Sequence, residues 1–516
     1  MIDISNIKNK LQQVARPIRL AQEKISSYFD GRILIVLILV VLACGMIYPH
    51  LRGAQATVYA GDDFIHFKLH ISAMDNYDPD DLFKTSVEYA KFDCEHLGGR
   101  YSAMFLQSYL GINYKIRDLV KLRKVMSYSV LLYFLGIFMF IYSLMHNIVL
   151  KDKKIIDKLL AALATFLPIA FYHFAYFHKE VFAWFPGAMS YIVPIILSTI
   201  SLSFSLFSLR KINIFNIILL VVSLPLAAAS MGGTLAAVCL IYGICTLILV
   251  YTIVNRKLTL RLFISLATFY IFGIVNAMQP GNRNRRLVYM ESEEILIKEN
   301  FDTLLNMIRI RLDFIQSNYA FVIFFVALAV IASYFIFKNV NLNVSYASLA
   351  LLSVFMPFAS TLPIAIGYGT VIPLFDRTDF MIDLGIIIAF LNLIILACGI
   401  VSYLFGSILS RNMIANQISI LAVLLLVVFM VVKNAPLITS DAFDSFAILD
   451  NMQQKRYEAF DEKYMTMFSE LYEHMGEEKA NIHYPKDEEV PPLVFFTDLY
   501  HKEYFDIKNI KKVYTN

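Results

Sequence analysis

Apolar residues along this chain gather in long runs separated by polar breaks, and the runs, not an alternation, set the architecture. Each run is long enough, at about 1.5 Å rise per residue, to cross a hydrocarbon core of about 30 Å as a helix. The pattern predicts spans over residues 32–50, 123–148, 158–176, 185–208, 213–230, 233–254, 259–278, 319–338, 343–366, 379–406 and 417–434, about eleven in all. The fifth and sixth runs flank Met231-Gly232-Gly233-Thr234 and could instead form one re-entrant unit. The predicted fold class is therefore an all-α polytopic membrane protein. Residues 1–31 precede the bundle, 32–434 form it, and 435–516 make a small C-terminal domain. In the first segment, Lys8, Lys10, Arg16, Arg19 and Lys24 stand among Ile, Leu and Val at helical spacing. That suits an amphipathic helix on the inner leaflet, or simply a basic N-terminus.

Charge then orients the bundle. Lys151, Lys153, Lys154 and Lys158 follow the second span, Arg210 and Lys211 the fourth, Arg256, Lys257 and Arg261 the sixth, and Arg411 the tenth. By the positive-inside rule these short loops and the N-terminus face the cytoplasm. An odd number of spans puts the C-terminus outside. The longer polar segments 51–122, 177–184, 279–318, 367–378 and 435–516 then share the outer face, where the chemistry is expected. In the tail, Phe446, Leu449, Met452, Tyr457, Phe460, Tyr464 and Met467 recur at helical spacing over 441–475. A turn-rich stretch from His483 follows, and then an apolar run over 490–496 that could be a strand.

Composition agrees with segmental hydrophobicity: 58% of the 516 residues are hydrophobic and 17% charged. A soluble chain averages about 25% charged residues. The net charge of +4 and the lack of a basic stripe argue against nucleic acid as a partner. Of five cysteines, only Cys94 lies in a polar loop, so neither a disulfide framework nor a CxxC metal site is expected. A Walker A loop, a GxSxG elbow and an HExxH motif are all missing from the sequence. Ionisable residues deep within spans are sparse, with Asp383 the main one, and this weighs against ion-coupled transport.

Four segments could carry chemistry. In Gly61-Asp62-Asp63-Phe64-Ile65-His66, two adjacent carboxylates stand among apolar neighbours near the first span. Like charges at short range raise at least one pKa, as a general base for a hydroxyl requires. A helix N-cap is the plain alternative. Asp62, His66 and His70 would share one helical face and could hold a divalent cation, or reflect an interfacial helix alone. Later in that loop, Leu97-Gly98-Gly99-Arg100-Tyr101 offers Arg100 to a phosphate or a carboxylate, or forms a surface turn. In 178–191, His178, Lys179 and Glu180 precede Trp184 and Tyr191. This combination suits sugar stacking beside polar groups, or an interfacial aromatic belt. After the seventh span, Arg283, Arg285 and Arg286 could grip a phosphate at headgroup depth or attract anionic lipid generally. The amphipathic stretch 291–316 follows them. Finally, Arg377 between Asp376 and Asp379 is either a self-satisfied ion pair or a second phosphate ligand.

The Asp62-Asp63 pair with Phe64, Gly99-Arg100-Tyr101, Trp184-Phe185-Pro186-Gly187 with Tyr191, Arg377, and the tail phrases at Phe496 and Tyr504 resemble the GT-C superfamily of membrane glycosyltransferases. The closer likeness is to bacterial Gtr-type O-antigen glucosyltransferases. The resemblance implies a GT-C-like fold in the bacterial inner membrane, with its active site on the periplasmic face. It implies transfer of a hexose, glucose by preference, from a polyprenyl-phosphate donor to a lipid-linked or surface glycan. Asp62 or Asp63 would be the base, and arginines would hold the departing phosphate. No cofactor is required by it, and a donor-lipid flippase and a donor-synthesising glycosyltransferase would be its partners. A flippase or other transporter, or an O-antigen polymerase or acyltransferase, are the rival readings.

Overall fold

A computed structural model describes residues 31–60, 81–110, 119–209, 213–289, 297–340, 342, 344–368, 376–409, 454–486, 490, 496, 501 and 507–514. Among these, nine helices are long and apolar enough to cross a membrane. The chain is mostly helical, and we describe it as a multi-pass membrane protein. The spanning helices are α1 (Gly31–Gln55), α4 (Leu119–Val149), α5 (Ile155–Ala175), α7 (Phe185–Ser208), α9 (Leu235–Val254), α10 (Leu260–Ala277), α13 (Tyr319–Phe337), α14 (Val344–Ile366) and α15 (Asp376–Leu409). A shorter apolar helix, α8 (Ile214–Ser230), occupies the fifth predicted span as a separate element packed along α7 and α10. The re-entrant alternative around Met231 therefore gives way to two helices joined by a tight turn. The eleventh predicted span, 417–434, lies outside the described residues.

Local sequence explains where the helices begin. Asn213, Thr234, Thr259 and Asn318 stand at the N-caps of α8, α9, α10 and α13. Each side-chain oxygen accepts a backbone N–H three residues on, satisfying one donor that has no partner inside the helix. The helices α4, α5, α7, α9, α13, α14 and α15 surround an apolar chamber of about 210 Å³ lined by side chains such as Ile137, Ile195, Leu240, Leu384 and Ile387, with Tyr133 at one end.

One end of the bundle carries nearly all the extra structure. Helices α2 (Leu82–His96) and α3 (Tyr101–Leu110) form the described part of the first long loop. A single turn, α6 (Lys179–Phe182), joins α5 to α7, and α11 (Pro280–Tyr289) and α12 (Ile297–Ser317) link α10 to α13. In the tail, α16 (Gln454–Glu473) reaches this same end. Arg123 at the start of α4 makes a bidentate pair with Asp461 at 2.7 and 2.8 Å. The tail departs from an all-α expectation. Strands β1 (Lys479–His483) and β2 (Asn509–Val513) pair in parallel, with Lys479 opposite Asn509 and His483 opposite Val513. His483, predicted in a turn, ends a strand because the partner strand arrives from a distant segment.

Candidate functional site

Two polar clusters sit at the elaborated end, and the 178–192 segment touches both. The first closes the described part of the first loop. The Asp93 carboxylate, fully buried at the end of α2, binds Arg100 Nη2 at 2.6 Å and accepts the Arg100 backbone N–H at 3.2 Å. The Asp93 carbonyl accepts N–H groups of Leu97 and Gly98. Gly99 donates to Asn282 at 3.2 Å, while Tyr101 and Ser102 hydroxyls donate to the carbonyls of Ala228 and Ala229 at 2.7 and 2.5 Å. Glycine is required at two of these positions by close approach. A Cβ on Gly99 would strike Asn276, and one on Gly281 would strike the Gly98 backbone. Burial opposes the Arg100 charge, but Asp93 outweighs it and holds the guanidinium pKa above its usual value. Burial, with help from Asp93, also pushes the Cys94 thiol up to about 11, which keeps it unreactive. Of the two partners expected for Arg100, a phosphate or a carboxylate, the structure shows a carboxylate. Here a carboxylate already neutralises it, and its work is to close a loop.

The second cluster gathers side chains from four separated segments. His178 Nδ1 lies 2.7 Å from Asp376, and the second Asp376 oxygen accepts the Glu180 backbone N–H at 3.0 Å. On its other face, His178 Nε2 meets the Tyr172 hydroxyl at 2.7 Å, and that hydroxyl donates to Asp383 at 3.2 Å. Arg311 from α12 then grips Asp383 through two nitrogens at 2.8 and 2.6 Å and Asp379 through a third at 2.8 Å. Burial alone would drive His178 neutral, but Asp376 outweighs it and the imidazole titrates above its ordinary 6.5. Glu180 is raised by burial, an effect that Arg377, bound to it at 3.0 Å, partly offsets. Arg377 thus pairs with Glu180, a carboxylate 197 residues away in the chain. Its guanidinium also lies 5.2 Å from the centre of the Trp184 ring.

From Trp184 the network reaches the chain that leads to the acidic pair. The indole Nε1 donates to the Ala60 carbonyl at 3.2 Å. Arg123 Nε donates to the Thr57 carbonyl at 3.2 Å, and Tyr464 of α16 donates to the Tyr59 carbonyl at 3.0 Å. Three side chains from distant parts of the sequence therefore hold the buried stretch 57–60, two residues short of Asp62.

Of the residues singled out from sequence, His178, Glu180, Trp184 and Arg377 come together, with Lys179 exposed beside them. Tyr191 is half-buried, near enough to Arg100 to feel its charge. Arg283 is exposed on α11, away from the bundle interior. Asp62, Asp63, His66 and His70 lie outside the described residues, as do the side chains of Arg285 and Arg286. No group of three or more His, Cys, Asp or Glu side chains able to hold a metal occurs among the described residues. Sequence reasoning missed Arg311, Tyr172, His173 and His50. His173 meets the Tyr133 hydroxyl at 2.9 Å, and His50 lies buried among Phe134, Phe177 and Phe182. The 3- and 4-residue spacing of Asp376, Asp379 and Asp383 was the available signal for a shared acidic face needing a cation. Comparison of the chain with protein-family models and with curated proteins gives no match.

Proposed function

We propose that this protein is an inverting membrane glycosyltransferase of the GT-C kind, using a polyprenyl-phosphate-linked hexose as donor and a surface glycan as acceptor. In this reading the elaborated end faces the periplasm and the basic turns face the cytoplasm of a bacterial inner membrane. One observation carries it: the grip of Arg123, Tyr464 and Trp184 on the carbonyls of 57–60. Backbone held at three carbonyls gives the residues that follow a fixed origin, which a base acting on a bound hydroxyl needs. Asp62 or Asp63 would take the acceptor proton as its oxygen attacks the anomeric carbon. The bond from that carbon to the donor phosphate breaks, the centre inverts, and the lipid phosphate leaves. In this reading Lys179 and the arginines Arg283, Arg285 and Arg286 would contact the phosphate, while Arg377 and Arg100 pair with carboxylates. Trp184, expected from sequence to stack on a sugar, is instead buried beneath Arg377, and its part is to hold the Ala60 carbonyl.

The test is transfer from a polyprenyl-phosphate hexose by purified Asp62→Asn and Asp63→Asn variants, with mass spectrometry of surface polysaccharide in parallel. A general base contributes about 10²–10⁴-fold, and one variant should lose that much. Full activity in both ends the assignment. A second reading, movement of a lipid-linked glycan, draws on the buried His50, His173 and Asp383 inside spans. It predicts that both asparagine variants remain functional.

A further inference from the structure

At the opposite end of the spans from His178 and Trp184, two turns between helices and the end of α7 border a cleft of about 1300 Å³. Its walls come from the α4–α5 turn with Lys151 and Asp152, the end of α7 with Phe204 and Phe207, and the α9–α10 turn with Arg256 and Lys257. Some of the basic residues here have structural partners. Lys257 Nζ binds the Ile148 carbonyl at 3.0 Å, Lys158 Nζ binds that of Lys151 at 2.7 Å, and Arg261 binds that of Ser208. These satisfy carbonyls at helix C-termini.

Arg256 is different. It is the one non-glycine residue among those described with a left-handed backbone, at φ 52°. Its own N–H binds the Ile253 carbonyl, and those of Lys257 and Leu258 both bind the Thr252 carbonyl, closing the end of α9. Glycine or asparagine normally occupies such a position, because a side chain there strains the backbone. A strained arginine at the rim of a cleft calls for a functional reason. Arg256 and Lys151 are both exposed. Phenylalanines line the wall beside them, and the whole cleft lies where the apolar helices end.

We propose that this cleft binds the phosphate head of an anionic membrane lipid, with Arg256 and Lys151 as cationic contacts and Phe204 and Phe207 against the upper acyl chain. The site stands independently of the transfer reaction. The test uses full-length protein in nanodiscs of phosphatidylcholine with or without phosphatidylglycerol, reading thermal unfolding and the lipid retained in native mass spectrometry. The informative variant is Arg256→Gly, since glycine relieves the backbone and keeps the fold. Phosphatidylglycerol should raise the unfolding temperature of the wild type and be retained above phosphatidylcholine. Retention should fall about fivefold in Arg256→Gly, the loss expected for one surface cation. Lys153→Ala, an exposed cation outside the cleft, should change nothing. Equal retention by wild type and Arg256→Gly overturns the proposal. So does an equal fall in Lys153→Ala, or equal stabilisation by inorganic phosphate in phosphatidylcholine discs.

Discussion

The two clusters at the elaborated end use the same chemistry for different ends. Around Arg100, one guanidinium meets one carboxylate seven residues away, and glycines bring backbones together. Around His178, four carboxylates (Asp376, Asp379, Asp383 and Glu180) meet two arginines and one imidazole drawn from α12, α6, α15 and the turn before α6. Its hydrogen bonds continue outward through Trp184 to Ala60. A closed pair stabilises a loop, whereas an extended network can position groups and respond to protonation. An arginine beside a glycine-rich turn is thus weak grounds for a ligand site until its nearest carboxylate is known.

That contrast can be broken by substitution. The largest effect should come from Arg311→Met, which leaves Asp379 and Asp383 without their cation. Removing one partner of a buried pair costs about 3–5 kcal/mol. Thermal unfolding in detergent should show it, with partial recovery in an added Asp383→Asn change. No loss of stability would mean that Arg311 is not bound as described. Next, on the proposed reaction, Trp184→Phe should reduce transfer by about 10², the scale of an ångström-level misplacement, while stability falls little. Normal transfer would separate the network from the reaction. Gly99→Ala should cost about 1–3 kcal/mol of stability through overpacking, with activity per folded molecule unchanged. Reduced specific activity would instead make the Arg100 cluster part of the site.

The smallest effect is a pH dependence. Because the folded-state pKa of His178 is raised, its pairing with Asp376 adds stability that is complete below the unfolded value of about 6.5. That stability is lost as pH rises through the higher folded-state value. Unfolding temperatures from acidic to alkaline pH should therefore decline on the alkaline side in wild type more than in His178→Gln. Identical profiles would remove the imidazolium from the network.

The spans were legible because a hydrocarbon solvent demands long apolar runs. The 178–184 segment was legible too, since a belt of aromatics alone does not account for His, Lys and Glu in a short turn. Pairing across distance was not. Arg311 contacts Asp383 from 72 residues away, and its helix was read only for its apolar face. The glycine-rich turn left a phosphate and a carboxylate both open for Arg100, because the partner that decides, Asp93, lies seven residues upstream, beyond the reach of a local motif. The parallel strands of the tail escaped for the same reason, their pairing being set by tertiary contact and not by local alternation.

The bond from Tyr464 to the Tyr59 carbonyl spans 405 residues of chain. On a ribosome making about 5–20 residues per second, roughly 20 to 80 s separate the emergence of these partners. The bundle can insert helix by helix in that interval, but the stretch leading to Asp62 waits for its last clamp. Premature termination ahead of α16 would thus leave the 57–60 backbone without one of the three side chains that hold it.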